Sequence, residues 1–190
     1  PRIPVGIRDY DLFCDVQNTH MEAFAVRHGF PLHSENAVLT LRRENYQSSA
    51  KRKSRIISYQ KRFFSKFEKM HKDLFPNGYF TAQQMVEKRD ENHQLFLAVE
   101  DRQLLGYHFC KIEPDSESAY VDFIGTDPSA RGRGIGADLL ASGVEWMLSA
   151  STTKKINLTV NADNVIARRL YKKFGFVTDR IMRGYRKRVL

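Results

Sequence analysis

Hydrophobic and polar positions follow two different periods along this 190-residue chain, and the change falls near residue 93. Before it, Ile56, Gln60, Phe63, Phe67, Met70 and Leu74 recur at three- and four-residue steps, with Phe64 beside them and Lys and Arg between. That spacing predicts a long amphipathic helix with an aromatic face buried and a basic face in water, within a basic segment 42–73. Phe75-Pro76-Asn77-Gly78 ends it, and Thr81-x-x-Gln84 reads as the capping box of a short helix to about Glu91. Upstream, Ile3–Arg8 is a candidate strand. Asp9 or Asp11 is placed to cap a helix carrying Leu12, Val16, His20, Phe24 and Val26, closed by Gly29 and Pro31. Ser34 is placed to cap a second helix to about Tyr46, with Gln47-Ser48-Ser49 as an interruption.

After Asn92 the pattern shortens. Gln94–Glu100 and Leu104–Ile112 read as strands joined by a tight Asp101-Arg102-Gln103 turn, and Ala119–Thr126 as a third strand after the Pro114–Ser118 loop. Asp127-Pro128 breaks that strand. Gly134–Ser149 then reads as a helix, Ile156–Asn161 as a strand, Asn164–Phe174 as a helix and Phe176–Leu190 as one or two strands. The order β-β-β-α-β-α-β predicts an α/β (α+β mixed) fold with antiparallel hairpins and one parallel crossover. No internal repeat is visible.

Composition narrows the class. With 42% hydrophobic and 28% charged residues, the chain is neither collagen-like, low-complexity nor wholly disordered. The longest apolar stretch, Ile135 to Leu148, is interrupted by Asp138 and Glu145, so no membrane span is expected. Cys14 and Cys110 cannot build a disulfide scaffold or a four-thiolate metal site. They are expected as inert buried thiols, one in a helix and one in a strand. The six histidines show no ligand spacing, so no metal is expected. Pro-Arg-Ile-Pro-Val-Gly lacks a secretory hydrophobic core, which favours a cytoplasmic location, and a first residue other than Met suggests processing or trimming from a longer chain.

The net charge of +9 is concentrated. Residues 42–72 hold eleven basic side chains against Glu44 and Glu68, and residues 168–190 hold nine against Asp179, leaving the rest of the chain net acidic. Such blocks favour polyanionic ligands and oppose polycationic substrates; the plainer reading is a solvated helix face and a charged terminal strand. Nucleic acid is a possible but disfavoured partner.

The strongest local feature is Thr126-Asp127-Pro128-Ser129-Ala130-Arg131-Gly132-Arg133-Gly134-Ile135-Gly136, between a strand and a helix. Three glycines permit close backbone approach, and the following helix N-terminus favours a phosphate or pyrophosphate, with Arg131 and Arg133 adding charge-assisted donors. Gly132-x-Gly134-x-x-Ala137 formally fits a relaxed dinucleotide fingerprint, but Lys154–Val160 supplies no acidic residue for a ribose. No Gly-Lys-Ser/Thr follows, so it is not a P-loop. A second element, Leu158-x-Val160-x-x-x-Asn164-x-x-Ala167-x-x-Leu170-Tyr171-x-x-x-Gly175-Phe176, runs strand, helix, turn, strand, with Asn164, Ala167 and Tyr171 on one helix face.

Together with Arg131-x-x-Gly134-x-Gly136, this resembles the GNAT superfamily of acetyl-CoA-dependent N-acetyltransferases. The resemblance covers residues 94–190, and residues 2–93 are compatible with its N-terminal strand and helices, so it implies one domain over 1–190. It implies a mixed, mostly antiparallel sheet of six to seven strands, four to five flanking helices, and a splayed parallel pair formed by the Ala119–Thr126 and Ile156–Asn161 strands. The pantetheine arm of acetyl-CoA would lie in the splay against Ile124, Gly125 and Thr126. Its pyrophosphate would sit on Arg131, Gly132, Arg133, Gly134, Ile135 and Gly136, with Asn164, Ala167 and Tyr171 facing the thioester and Arg168 or Arg169 reaching the phosphates. Tyr171 would be the general acid for the leaving thiolate, with an oxyanion donor near Ile124. The implied reaction is acetyl transfer to a primary amine of a small molecule or protein. The alternatives are an acyl-CoA-, nucleic-acid- or partner-binding module and one half of a tandem protein.

Asp122 is the candidate base, because simple alternation puts it on one strand face with Tyr120, Ile124 and Thr126. Glu113 is the reserve, and a structural salt bridge from Asp122 to a C-terminal Arg is the competing role. Three features depart from the family pattern: Thr126 replaces an aliphatic, Tyr120 stands where some members carry a Glu base, and the basic segment 42–73 is long. The C-terminal strand is a plausible homodimer edge.

Overall fold

The computed structural model describes residues 9–47 and 53–188; the candidate strand Ile3–Arg8 lies outside them. One eight-stranded sheet organises the chain: β1 (Asp9–Asp15), β2 (Leu32–Arg42), β3 (Arg55–Ser58), β4 (His93–Glu100), β5 (Gln103–Glu113), β6 (Ser118–Thr126), β7 (Lys155–Asn161) and β8 (Val177–Arg188). Its spatial order is β1-β8-β2-β7-β6-β5-β4-β3. The parallel pair is β6–β7; the other neighbours run antiparallel. Five α-helices accompany it: α1 (Thr19–Arg27), α2 (Phe64–Leu74), α3 (Ala82–Glu87), α4 (Ile135–Ser149) and α5 (Val165–Lys173). The mixed fold agrees with the sequence reading, with eight strands in place of six or seven.

The second half follows its sequence pattern closely. The β4–β5 hairpin turns on Asp101 and Arg102, both at positive φ, and Thr81 and Gln84 form the capping box of α3. The first half departs from it. The segment expected as a helix from Asp9 is β1, followed by a turn and the short α1, which Asn18 caps by accepting from Met21 N–H. Cys14 therefore lies in a strand. The segment expected as a helix from Ser34 is β2: Ala37, Leu39 and Leu41 alternate into the core while Asn36, Val38 and Thr40 face the other way. Burial of each leucine contributes about 1.5–3 kcal/mol, which outweighs a cap signature. Within the basic segment 42–73, expected to be helical, the described residues form the end of β2, two 3₁₀ turns, β3 and α2. Helix α2 buries Phe67 and Met70, and Phe63 in the turn before it, as the spacing predicts.

Residues just after β2 and just before β3 are tied to the two ends of α4. At the C-terminal end of α4, the Arg43 guanidinium donates to the carbonyls of Leu148, Ala150 and Thr153 at 2.9, 2.6 and 2.7 Å. These are acceptors a helix end leaves unsatisfied. At the other end, the amides of Lys53 and Ser54 donate to Asp138 Oδ2 at 3.1 and 2.8 Å.

Part of the C-terminal basic block is committed to the N-terminal elements. Arg183 pairs with Glu22 and Glu35, and Arg186 with Asp11. β8 is also hydrogen-bonded on both sides, by β1 and β2, so the expected dimer edge on the C-terminal strand is not free. Among the described residues, no helix is long and apolar enough to cross a membrane, and no three His, Cys, Asp or Glu side chains converge as metal ligands.

The core lies on both faces of the sheet. One face packs α4 and α5 over Ala37, Leu39, Cys110, Val121 and Leu158; the other packs α2 and α3 over Leu95, Tyr107, Phe109 and Phe123. Beneath α4, His108 is fully buried, and its Nδ1–H donates to the Leu139 carbonyl at 3.0 Å. Burial lowers its pKa to about 4, so the ring is neutral at physiological pH. A Cβ on Gly143 would run into this ring. Gly143→Ala is therefore expected to destabilise the fold by about 1–3 kcal/mol through overpacking, measured by urea unfolding.

Candidate active site

Parallel pairing between β6 and β7 runs from Ser118↔Lys155 to Val121↔Leu158 and stops. The cause is a bulge in β6. Phe109 pairs with Phe123 and Cys110 with Val121, so Asp122 is the extra residue. Beyond it, β6 stays on β5 and β7 stays on β2, and the two strands part. Ile124, Gly125 and Thr126 thus have one strand edge paired to β5 and the other turned to the opening.

The bulge also corrects the face assignment made from alternation. Asp122 and Phe123 both point to the α2–α3 face, where the Tyr79 hydroxyl and the second core cluster meet them. Ile124 packs under α4, and Thr126 lies close to Gly136 at the start of α4. Asp122 therefore does not share a face with Ile124 and Thr126. Gly125 is enclosed on the other side, where a Cβ would stand 2.7 Å from Leu74 Cδ1.

Between β6 and α4 the chain makes a 3₁₀ turn over Pro128–Ala130, with the Asp127 side chain accepting from Ser129 N–H at 2.9 Å. Gly132 and Gly134 follow at φ +78° and +85°, a region costly for any other residue, and a Cβ on either would meet nothing within 4 Å. The cradle is open. Ile135 and Gly136 begin α4, so their amides have no intrahelical acceptor, and the helix dipole adds positive potential there. Arg131 is exposed beside the cradle. Arg133 is less available than its sequence position suggests, because its Nη2 donates to both Glu100 carboxylate oxygens at 2.6 and 2.7 Å and holds that carboxyl below its usual range.

α5 forms the opposite wall. Asn164 is its N-cap: the side chain accepts from Ala167 N–H at 3.0 Å, so Oδ1 serves the helix and the side chain sits at its mouth. Ala167 and Tyr171 face inward. Tyr171 is 6% exposed, its ring centroid 5.8 Å from that of Phe176, and burial raises its pKa to about 12. Its proton is therefore retained at neutral pH. Arg168 spends one guanidinium N–H on the Ala162 carbonyl at 3.0 Å. With Arg169 and Lys172 it also lines a groove of ≈ 580 Å³ over β2 and the start of β8, which contains none of the loop glycines.

On the α2–α3 face, Asp122 is withdrawn from water with Oδ2 buried and unpartnered among the described residues. Burial raises its pKa; the Tyr79 hydrogen bond and the charges of Lys111 and His93 oppose that rise, and Glu113 adds to it. No arginine bonds to it among the described residues, so the salt bridge offered as its alternative role is not formed. Glu113, the reserve base, is itself paired with Lys111. Sequence reasoning missed Tyr79 because its partner lies 43 positions away; Pro76-Asn77-Gly78 announced a turn but not what the next side chain would touch.

The family model described as Acetyltransferase (GNAT) family matches residues 56–176, more than half of the chain. The chain belongs to that family. A mycothiol acetyltransferase of Mycobacterium avium (strain 104) is 35% identical over 127 residues, covering 57% of this chain and 40% of that relative. The chain thus spans well under half the length of this relative. The fold of this GNAT chain is shared by a GCN5-related N-acetyltransferase from Sphaerobacter thermophilus, with a TM-score of 0.75 at 15% identity over 95% of this chain and 59% of that one. A tandem GNAT protein from the clavulanic acid biosynthesis pathway gives 0.73 at 13% identity, over 95% of this chain and 63% of that one.

Proposed function

We propose that this GNAT chain transfers the acetyl group of acetyl-CoA to a primary amine, with residues 1–190 acting as one acetyltransferase domain. The observation that carries the reading is the parting of β6 and β7 beside an open glycine cradle at a helix N-terminus. One ligand that needs both features is a thioester on a long amide-bearing arm with a pyrophosphate. The arm lies along the edge of Ile124–Thr126 turned to the opening, and the pyrophosphate takes the amides around Gly132–Gly136 with the exposed Arg131 beside them. Arg133 contributes after exchanging Glu100 for phosphate, and Asn164, Ala167 and Arg168 form the α5 wall.

The two faces of the sheet divide the proton chemistry. Tyr171 stands with α5 on the cofactor face, and Asp122 stands on the α2–α3 face from which the amine arrives. The neutral amine gives one proton to Asp122 as its lone pair forms the N–C bond to the thioester carbonyl, so the nitrogen leaves as a neutral amide. The carbonyl electrons move to oxygen, where a backbone N–H near Ile124 stabilises the oxyanion. Collapse re-forms the carbonyl, breaks the C–S bond and returns the pair to sulfur, which takes the Tyr171 proton; as the products leave, Asp122 gives its proton to solvent and the Tyr171 phenolate takes one from solvent. A tyrosine that keeps its proton to about pH 12 suits this role. A buried aspartate whose pKa is raised is a stronger base than a solvated one.

The acceptor face beyond Asp122 carries polar side chains on uncovered strands, among them Asn36, Thr40 and Asn157, with Thr40 Oγ1 donating to Asn157 Oδ1 at 2.9 Å. That surface suits a hydroxyl-bearing small amine. The M. avium relative's name, and the fold neighbour described as a glucosamine N-acetyltransferase region of a fungal enzyme, are compatible with that class.

Free thiol release from acetyl-CoA with a panel of amines, glucosamine included, tests the reading; no release with any amine would defeat it. Tyr171→Phe is expected to lower kcat by about 10²-fold or more while leaving acetyl-CoA affinity nearly unchanged, and an unchanged rate would remove Tyr171 from the mechanism. Asp122→Asn is expected to lower kcat/KM for the amine by about 10²–10⁴-fold. Because burial raises the Asp122 pKa, the acidic limb it governs lies above the ordinary value of 3.8, with activity gained as pH rises through it and lost in the Asn variant. Gly134→Val is expected to abolish acetyl-CoA binding in calorimetry, because a branched side chain at positive φ fills the cradle; tight binding would relocate the pyrophosphate.

A further inference from the structure

Tyr79 stands out of the surface with its polar end turned inward. It is 62% exposed, yet its hydroxyl donates a 2.7 Å hydrogen bond to Asp122 Oδ1. Burying this ring is not what fixes it; the loop beneath does. The ring centroid lies 4.7 Å from that of Phe123 and 4.8 Å from that of Phe80. The Phe80 carbonyl accepts from His71 Nε2–H at 2.7 Å, which leaves His71 Nδ1 to accept the buried Tyr107 hydroxyl at 2.6 Å. The capping box of α3 fixes the next residue, Thr81. On the other side, a Cβ on Gly78 would press on both Phe123 and His71, at 3.2 and 3.3 Å, so the turn before Tyr79 is closely fitted as well.

The carboxylate at the end of this arrangement is asymmetric. Oδ1 has the Tyr79 hydroxyl; Oδ2 is buried and unpartnered among the described residues. The groups that face Asp122 are Tyr79 from the α2–α3 loop, His93 from β4, and Cys110, Lys111 and Glu113 from β5. The nearest cation is committed elsewhere, since Lys111 bonds Glu113 and lies over the Tyr120 ring. His93 is likewise bonded to Asp90. Tyr79 is therefore the one hydrogen-bond donor on the carboxylate among the described residues.

We propose that Tyr79 is a positioning residue for the transfer reaction: by donating to Oδ1, its hydroxyl fixes the orientation of the Asp122 carboxylate and favours the ionised form that takes the proton of the incoming amine. This rests on Asp122 as the base. A carboxyl group turns readily about its last bond, and the Tyr79 hydrogen bond restrains that turn. The hydrogen bond also stabilises the ionised form, so losing it makes Asp122 harder to ionise.

The test uses Tyr79→Phe, which keeps the ring and its contacts and removes the hydroxyl. Carbon-13 NMR of aspartate-labelled protein, with the Asp122 signal identified by its loss in Asp122→Asn, follows the carboxyl without any acceptor. In Tyr79→Phe it is expected to titrate about one pH unit higher than in the wild type. With glucosamine as the probe amine, the acidic limb of kcat/KM is expected to move upward by the same interval, with the KM for acetyl-CoA unchanged. In an Asp122→Asn background, Tyr79→Phe is expected to have no further effect. An unmoved carboxyl titration, or an equal loss of rate in that background, overturns the proposal. Asp122→Asn with the wild-type acidic limb would instead sink the base assignment itself. If Asp122→Asn removes the limb while Tyr79→Phe leaves it in place, only the role of Tyr79 falls.

Discussion

The arrangement of the site depends on one inserted residue. Two parallel strands that begin in register would by default stay paired, and each further pair would close the sheet over the place where a ligand must lie. The bulge at Asp122 prevents this by bending β6 at the point where β7 continues straight against β2. The same residue that breaks the ladder is the carboxylate at the opening. Geometry and chemistry are thereby fixed at one position, because the extra residue of a bulge is the one whose side chain is re-aimed.

An opening of this kind lasts only if both parting strands are held from their outer sides. β6 is held by β5 along Gly106–Phe109, and β7 by β2 along its full length. β2 precedes the family-matched region yet lies between β7 and β8, so residues outside the match form a wall of the sheet that carries the site. Arg43, just after β2, and the amides of Lys53 and Ser54, just before β3, bond to α4 near its two ends, fixing the helix whose first amides face the cradle. Arg183 and Arg186 fasten β8 to the acidic residues of β1, α1 and β2. The charge concentrated at the C-terminus is in part internal fastening, and less of it is a surface for polyanions than its density in the sequence suggests.

This explains which parts of the fold were legible in the sequence. The loop 126–136 and the helix from Asn164 are built from short-range requirements: glycines at positive φ, a cap three residues before its amide, a strand broken by Asp127-Pro128. Such signals sit within a few residues of what they control. β2 was unreadable for the opposite reason. Ala37, Val38, Leu39 and Leu41 fit a helical stripe as well as a strand, Ser34 offered a cap, and only the long-range partners β7 and β8 decide between them. The bulge was hidden in the same way, since alternation along β6 looks regular until the register with β5 is known. Hence Asp122 was found as a carboxylate of interest and placed on the wrong face, with Ile124.

Placing Asp122 and Tyr171 on opposite faces has a physical advantage over one shared face. If both lay on one side of the sheet, the buried carboxylate would draw the phenol into a hydrogen bond, and a phenol so engaged would be a poorer donor in the proposed role. With the sheet between them, each keeps its own environment: the phenol dry among α5 and core side chains, the carboxylate beneath the Tyr79 hydroxyl. Their proton affinities are then set independently, the phenol held protonated to about pH 12 and the carboxylate made more basic by burial. The opening between β6 and β7 is where a thioester would be exposed to both.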